Sequence, residues 1–195
     1  MNILTPWNIA FFMAFIALFW IRTIFVRCTK DEQKIEKRRQ RSERPFLIAM
    51  APGSLPLPLL YLFSPLLSFA DYTLPLWVLL TGMASLWVSL WLFWRSHADL
   101  GQNWSVRLEV RKGHELITHG VYTHIRHPMY ASMWLWGIGQ ALILQNWLAG
   151  WSFIIAFAGL YFFRVQHEEK LMIDYFPTQY TQYMEKTGRI IPKYL

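Results

Sequence analysis

The sequence predicts an all-α integral membrane protein of about five transmembrane helices, with a cytoplasmic connector and a C-terminal helix. Three observations carry this. First, 54% of the 195 residues are hydrophobic and only 16% are charged, against about 25% charge in an ordinary soluble domain. Second, the apolar residues run in blocks long enough for a ~30 Å hydrocarbon layer, and they include 11 Trp and 9 Tyr, residues that favour bilayer interfaces. Third, all 19 Lys and Arg fall near the ends of those blocks or in alternate connections, as a positive-inside bias requires.

Span one runs from about Pro6 to Val26, with Arg22 near its end, where a long stem snorkels to the interface. No basic stretch precedes it and no small-residue cleavage site follows, so a retained span is expected rather than a signal peptide. Residues 29–44 form a basic loop in which Asp31, Glu32, Glu36 and Glu43 interrupt the cations and no aromatic is present. That composition is a solvated cytoplasmic loop. The net charge of +7 therefore reads as topology and attraction to anionic lipid, with no nucleic-acid partner. Cys28 is the only cysteine, which excludes an intrachain disulfide and leaves an ordinary free thiol.

Span two, about Pro45 to Phe69, is interrupted by Pro52, Pro56, Pro58 and Pro65 and is expected to be kinked or split. Asp71 marks a short turn, and span three follows from about Leu74 to Trp94. Arg95–His127 is too polar to cross a membrane. Its start extends span three, Ser105–Val110 allows a short extended piece, and Gly113 and Gly120 signal turns. Pro128 then opens span four, since proline at a first helical position forfeits no hydrogen bond. Span four ends near Leu144 and span five covers about Leu148 to Phe163, an antiparallel pair turning at Gln145–Trp147. A surface helix over His167–Lys186, broken near Pro177, closes the chain. Residues 1–99 thus form an N-terminal unit of three spans, and 100–195 a second unit that carries the chemistry. Seven Lys/Arg between spans one and two, five from Arg95 to Arg126 and five from Arg164 onward place the N-terminus outside and the C-terminus in the cytoplasm.

The densest polar run is Gly113–Tyr130, GHELITHGVYTHIRHPMY, which holds His114, His119, His124 and His127. It delivers Arg126 and His127 to the mouth of span four, with Tyr130 on the same helical face as His127. Arg164, His167, Glu168 and Glu169 stand at the cytoplasmic exit of span five. An antiparallel pairing of spans four and five brings both clusters to one depth, either as a site or as an interfacial salt bridge of Arg126 with Glu168. Ionisable groups at that depth favour function. The histidine spacing is irregular and no cysteine or close carboxylate completes a ligand set, so no metal site is expected. Nucleophile-elbow, Walker and dinucleotide glycine patterns are absent from the sequence.

Taken with the C-terminal run HEEKLMIDYFPTQYTQYMEKTGRIIP, this segment resembles the isoprenylcysteine carboxyl methyltransferase family, within a wider group that includes phospholipid methyltransferases. The resemblance covers about Leu100 to Pro192. It rests on RHPxY, the paired glutamates and the tail Y-x-x-Y-x-x-x-T-G-R; the N-terminal half matches only in its spans and basic loop. It implies a cytoplasmic pocket for S-adenosyl-L-methionine contacted by His127, Tyr130, Glu168 and Glu169. The connector backbone at Glu115, Leu116, Gly120, Val121 and Tyr122 encloses its other side, and Leu135 lines the adenine. It also implies a lipophilic or prenylated acceptor entering from the bilayer, its carboxylate gripped by Arg126, with Arg126 and Glu168 as the catalytic pair. Three rival readings remain at this point. One is a phosphatidylethanolamine N-methyltransferase, which needs a base. Another is an NADPH-dependent sterol or lipid reductase, which needs more cations than Arg111 and Lys112 near the mouth. The third is a lipid-binding scaffold without turnover.

Overall fold

A computed structural model describes residues 5–28, 55–101 and 116–193. Within them the chain forms six α-helices: α1 (Pro6–Cys28), α2 (Pro56–Phe63), α3 (Leu76–Leu100), α4 (Pro128–Leu144), α5 (Trp147–Tyr175) and α6 (Pro177–Lys186). Two 3₁₀ turns, Pro65–Ala70 and Gly120–Thr123, complete the regular structure, with isolated bridges Asp71–Asn146 and Ile125–Gly188. The basic loop 29–44, the first part of span two, the expected extended piece 105–110 and Glu115 lie outside the described residues.

Three of these helices are long and apolar enough to cross a bilayer unaided: Pro6–Arg27, Leu76–Leu100 and Trp147–Tyr175. The protein is an integral membrane protein. The described part of span two is not one helix. Its prolines give the eight-residue α2, an extended Ser64, and a 3₁₀ turn begun by Pro65. The fourth expected span, α4, has 17 residues, about 25 Å at 1.5 Å per residue.

A second difference concerns the end of span five. The sequence reading stops it near Phe163 and begins a separate surface helix at His167, but α5 is continuous to Tyr175. No proline or glycine interrupts Phe163–Tyr175, and Arg164 pairs with Glu168 one turn on, Nε to Oε1 3.2 Å, an arrangement that supports helix. The break falls where Pro177 opens α6.

Close packing of α3 on α4 sets the frame. Gly82, Ser85, Leu86 and Ser89 recur at helical spacing on the facing side of α3. Ser85 Oγ donates to the Leu135 carbonyl and Ser89 Oγ to that of Ser132, both at 2.7 Å. Small residues with hydroxyl-to-carbonyl bonds let helices approach in a bilayer, where apolar burial alone gives little drive. At Gly139 an added Cβ would lie 2.7 Å from Leu86 side-chain atoms and 3.0 Å from the Gly82 carbonyl oxygen. The contacts step in opposite directions along the two helices, so α3 and α4 are antiparallel.

The far end of the α4–α5 hairpin is locked by a polar knot. Gln145 adopts φ 47° at the turn, and the Asn146 carboxamide oxygen caps α5 by accepting from Leu148 and Ala149 N–H at 3.0 and 2.9 Å. Asn146 Nδ2 donates to the Leu67 carbonyl and Asp71 Oδ1. Gln140, fully buried, donates to the Ala149 carbonyl at 2.8 Å and accepts from Trp136 Nε1. These groups satisfy one another, so the polar side chain inside the hairpin is scaffold.

Candidate active site

At the opposite end, the hairpin brings together the two motifs that the sequence separates by about forty residues. Aromatic contacts run along it: Trp134 against Phe157 and Tyr161, then Tyr130 against Tyr161 with ring centroids 5.7 Å apart. One turn further, His127 meets Glu168 and Glu169. Pro128 occupies the first turn of α4 and His127 its N-cap position, so His127 sits at the mouth with its ring stacked 5.5 Å from that of Tyr130.

The adjacent glutamates serve different partners. Glu169 faces inward, its side chain 6% exposed. Its Oε1 accepts from Arg126 Nε and Nη2 at 3.2 and 3.0 Å, with His127 Nε2 at 3.4 Å. Its Oε2 accepts from Arg189 Nε and Nη2 at 3.0 and 2.6 Å. Glu168 is 23% exposed. It accepts from the Tyr130 hydroxyl at 2.5 Å and lies 3.2 Å from Arg164 Nε and 3.6 Å from His127 Nδ1. Burial opposes charge on the His127 ring, but the Glu168 and Glu169 carboxylates beside it outweigh that, and its pKa is raised above the ordinary value.

The expected salt bridge of Arg126 with Glu168 is therefore replaced by one with Glu169. The remaining Arg126 donors go to the C-terminal tail: Nη1 reaches the Met184 carbonyl at 3.3 Å, the Thr187 carbonyl, and Thr187 Oγ1 at 3.4 Å. Arg126 N–H donates to the Gly188 carbonyl at 2.9 Å and His127 N–H to that of Arg189 at 2.8 Å. The tail is thus laced to the connector just before α4. With a side chain only 7% exposed, Arg126 ties α4, α5 and tail together.

Of the connector residues, Gly120, Val121 and Tyr122 lie on the 3₁₀ turn, and Leu116 is half-buried at the edge of the described segment. Val121 and Leu135 pack into one small cluster with Leu92, Ile125 and Ala131, so the turn and α4 share a floor. His167 does not join the mouth: its ring is exposed and packs on Phe163, with Nδ1 2.7 Å from the Phe163 carbonyl. His119 and His124 are exposed.

The sequence reading gave Arg189, Thr187 and Tyr183 no role in the site, although all three stand in the Y-x-x-Y-x-x-x-T-G-R tail. Nothing in the spacing of that tail signalled a second guanidinium on Glu169. Tyr183 donates to the Tyr122 carbonyl at 2.5 Å, a contact between segments about sixty residues apart.

A family model described as the isoprenylcysteine carboxyl methyltransferase (ICMT) family matches residues 71–174, more than half of the chain. The chain belongs to this family. The chain is 36% identical over 90 residues to a protein-S-isoprenylcysteine O-methyltransferase of Tribolium castaneum, covering 46% of this chain and 32% of that one. It is 31% identical over 94 residues to the Schizosaccharomyces pombe protein of the same name, covering 47% and 40%, and 36% identical over 87 residues to that of Saccharomyces cerevisiae, covering 45% and 36%. The matched region therefore spans less than half the length of each of these relatives. A solved structure described as the eukaryotic intramembrane Ras methyltransferase ICMT superposes with a TM-score of 0.65, at 23% identity, over 97% of this chain and 69% of that one. The ICMT match takes in α3, the connector, α4 and α5 with both glutamates. It ends before the tail that Arg126 and Glu169 hold.

Proposed function

We propose that this chain is a membrane-embedded methyltransferase that uses S-adenosylmethionine to methylate the carboxylate of a prenylated cysteine or a similar lipophilic acceptor. The observation that carries the reading is the convergence, across one helical hairpin, of Arg126, His127 and Tyr130 with Glu168 and Glu169, in a chain of this family. S-adenosylmethionine brings a methyl group activated by a positively charged sulfur. The donor set here fits such a cation. Glu168 offers a partly exposed carboxylate for its amine or sulfonium charge, the rings of Tyr130 and Tyr161 give an aromatic wall beside it, and His127 stacks on Tyr130 and holds both glutamates in place. In this reading Leu116 and the Gly120–Tyr122 turn enclose the other side, Leu135 lines the adenine, and Glu169 holds that frame through His127, Arg126 and Arg189.

An acceptor α-carboxylate has an ordinary pKa of about 3.3–3.7 and is ionised at neutral pH, so the residues need to supply no general base. Their work is to align the acceptor oxygen with the methyl carbon and to exclude water. Arg126 can grip the carboxylate bidentately if it exchanges Glu169 for the incoming group. Arg164 stands one helical turn nearer the bilayer than Glu168, on the side from which a lipid-borne carboxylate arrives, and is the second arginine of this reading. The N-terminus lies outside and the mouth faces the cytoplasm, following the charge distribution. Five crossings result when α4 and the split second span each traverse the bilayer.

The test is calorimetric titration of the detergent-purified chain with S-adenosylmethionine, and with NADPH alongside. Labelled-methyl transfer to N-acetyl-S-farnesylcysteine and to phosphatidylethanolamine follows. Binding of the methyl donor alone, with transfer to the carboxylate, is the expected result. Transfer to phosphatidylethanolamine instead moves the reading to N-methylation, and binding of NADPH alone overturns it.

A further inference from the structure

The connector turn is held from outside by a residue that plays no part in the reading above. Asp99 lies in the last turn of α3, its side chain 6% exposed, and is steadied by Arg95 one turn earlier, Nη2 to Oδ1 2.9 Å. Its other oxygen, Oδ2, accepts from the backbone N–H of Val121 at 2.8 Å. The Gly120–Thr123 turn has no side-chain cap of its own, so Asp99 supplies from α3 the acceptor that an N-terminal turn ordinarily finds in its own sequence.

The fit leaves no slack. Gly120 has φ 61°, a conformation that favours glycine, and a Cβ placed there would collide with the Asp99 carboxylate. Around the same turn, Tyr122 OH reaches the Ser96 carbonyl at 3.4 Å, and the Tyr122 carbonyl takes the Tyr183 hydroxyl. Val121 packs against the small cluster of Leu92, Ile125 and Ala131. These three supports are two phenol contacts and apolar packing, and none of them engages the first N–H of the turn. The Asp99 bond fixes the turn's height over α3 and α4.

We infer that Asp99 is a positioning residue for methyl-donor binding: it anchors the Gly120–Tyr122 backbone to the end of α3 and so sets the wall of the pocket facing Glu168. This rests on the methyltransferase reading. It predicts a split between donor and acceptor constants that a general loss of stability would not produce.

The experiment is calorimetric binding of S-adenosylmethionine to the full chain in detergent, for wild type, Asp99→Ala, Asp99→Asn and Gly120→Ala. Amide hydrogen exchange of the ligand-free proteins and steady-state kinetics accompany it. Losing a charge-assisted hydrogen bond is expected to weaken donor binding about tenfold in Asp99→Ala. Asp99→Asn, whose amide oxygen still accepts from Val121, is expected to stay within about threefold. KM for the donor rises with Asp99→Ala while kcat at saturating donor and KM for the acceptor hold, and exchange quickens across residues 120–123 but not within α3. Gly120→Ala, which strikes the same contact from the other side, weakens donor binding, and combining it with Asp99→Ala costs less than the two losses added. Wild-type binding with unchanged affinity in Asp99→Ala overturns the inference alone, as does quickened exchange without any change in affinity. Wild-type protein that is folded yet binds no donor overturns the methyltransferase reading, and the inference with it.

Discussion

Arg126 and Glu169 form a side-on ion pair, Nη2 to Oε1 3.0 Å, with both side chains less than a tenth exposed. Residues 43 positions apart are joined where α4 begins and α5 leaves its apolar stretch, and Arg189 closes on the other carboxylate oxygen. A buried pair is weak evidence of net stability, but removing one partner strands the other, at a cost of about 3–5 kcal/mol.

Glu169→Ala is therefore expected to destabilise the protein by about 3–5 kcal/mol and to release the tail. Glu169→Gln, which keeps acceptor capacity for one guanidinium, is expected to lose about half of that. Chemical unfolding in detergent measures both. A Glu169→Ala protein as stable as wild type would show that the pair holds nothing together.

Glu168 behaves differently if it is the donor's counter-charge. Its side chain is more exposed than that of Glu169, and it is held by the Tyr130 phenol from α4 and by Arg164 one turn earlier on α5. Glu168→Gln keeps the Tyr130 hydrogen bond and changes only the charge. The expected outcome is about a tenfold or greater loss of S-adenosylmethionine affinity, for a lost charge-assisted contact, with the melting temperature within a few degrees of wild type. Unchanged affinity in the folded variant removes Glu168 from the site.

His127 gives a pH dependence with a definite sign. Its folded-state pKa is raised, because the two glutamate carboxylates beside it outweigh burial, the largest single influence and the one that opposes the charge. A raised pKa means that the folded protein binds the proton more tightly than the unfolded chain. The stabilisation is fully present below the ordinary histidine value of about 6.5 and is lost as pH rises through the folded value. The stability difference between wild type and His127→Gln should therefore narrow as pH is raised from that range into the alkaline. Melting curves of the two proteins across the range provide the check. A gap that widens with pH would mean that the ring is held neutral.

Much of this arrangement was legible in the sequence because it follows from helical geometry. Pro128 announces the start of α4, Gln145–Asn146 the hairpin turn, and an antiparallel pair of known lengths then brings Arg126–Tyr130 opposite Glu168–Glu169. The pairing within that cluster was not legible. Glu168 and Glu169 differ by about 100° around α5, and which one turns inward depends on how α5 is rotated against α4, a result of packing by Phe153, Phe157 and Tyr161. The continuity of α5 beyond Phe163 was missed because a change from apolar to charged composition was read as a change of element. Polarity marks where a helix meets water; a break in the helix needs a proline, glycine or cap, and the first of these is Pro177. Asp99 escaped notice because its partner is a backbone N–H, which carries no side-chain signature.

The spacing of α3 and α4 supplies the last prediction. The mouth is built at the end of α4, while Asp99 stands at the end of α3, so the distance between these helices sets the connector's frame. That distance depends on Gly82 and Gly139. At Gly139 a methyl group would lie 2.7 Å from Leu86 and 3.0 Å from a backbone oxygen of α3, which cannot move without shifting the helix. Gly139→Ala is expected to cost about 1–3 kcal/mol as overpacking, and to lower methyl-donor affinity with it, because the two helices are pushed apart beneath the connector. Gly159, on α5, is the control: nothing lies within 4 Å of a Cβ there. Gly159→Ala should be neutral, or stabilising by up to about 1 kcal/mol through helix propensity. Unfolding and donor titration of the two variants side by side test this. Equal behaviour would show that the α3–α4 distance is not fixed by the glycine contact.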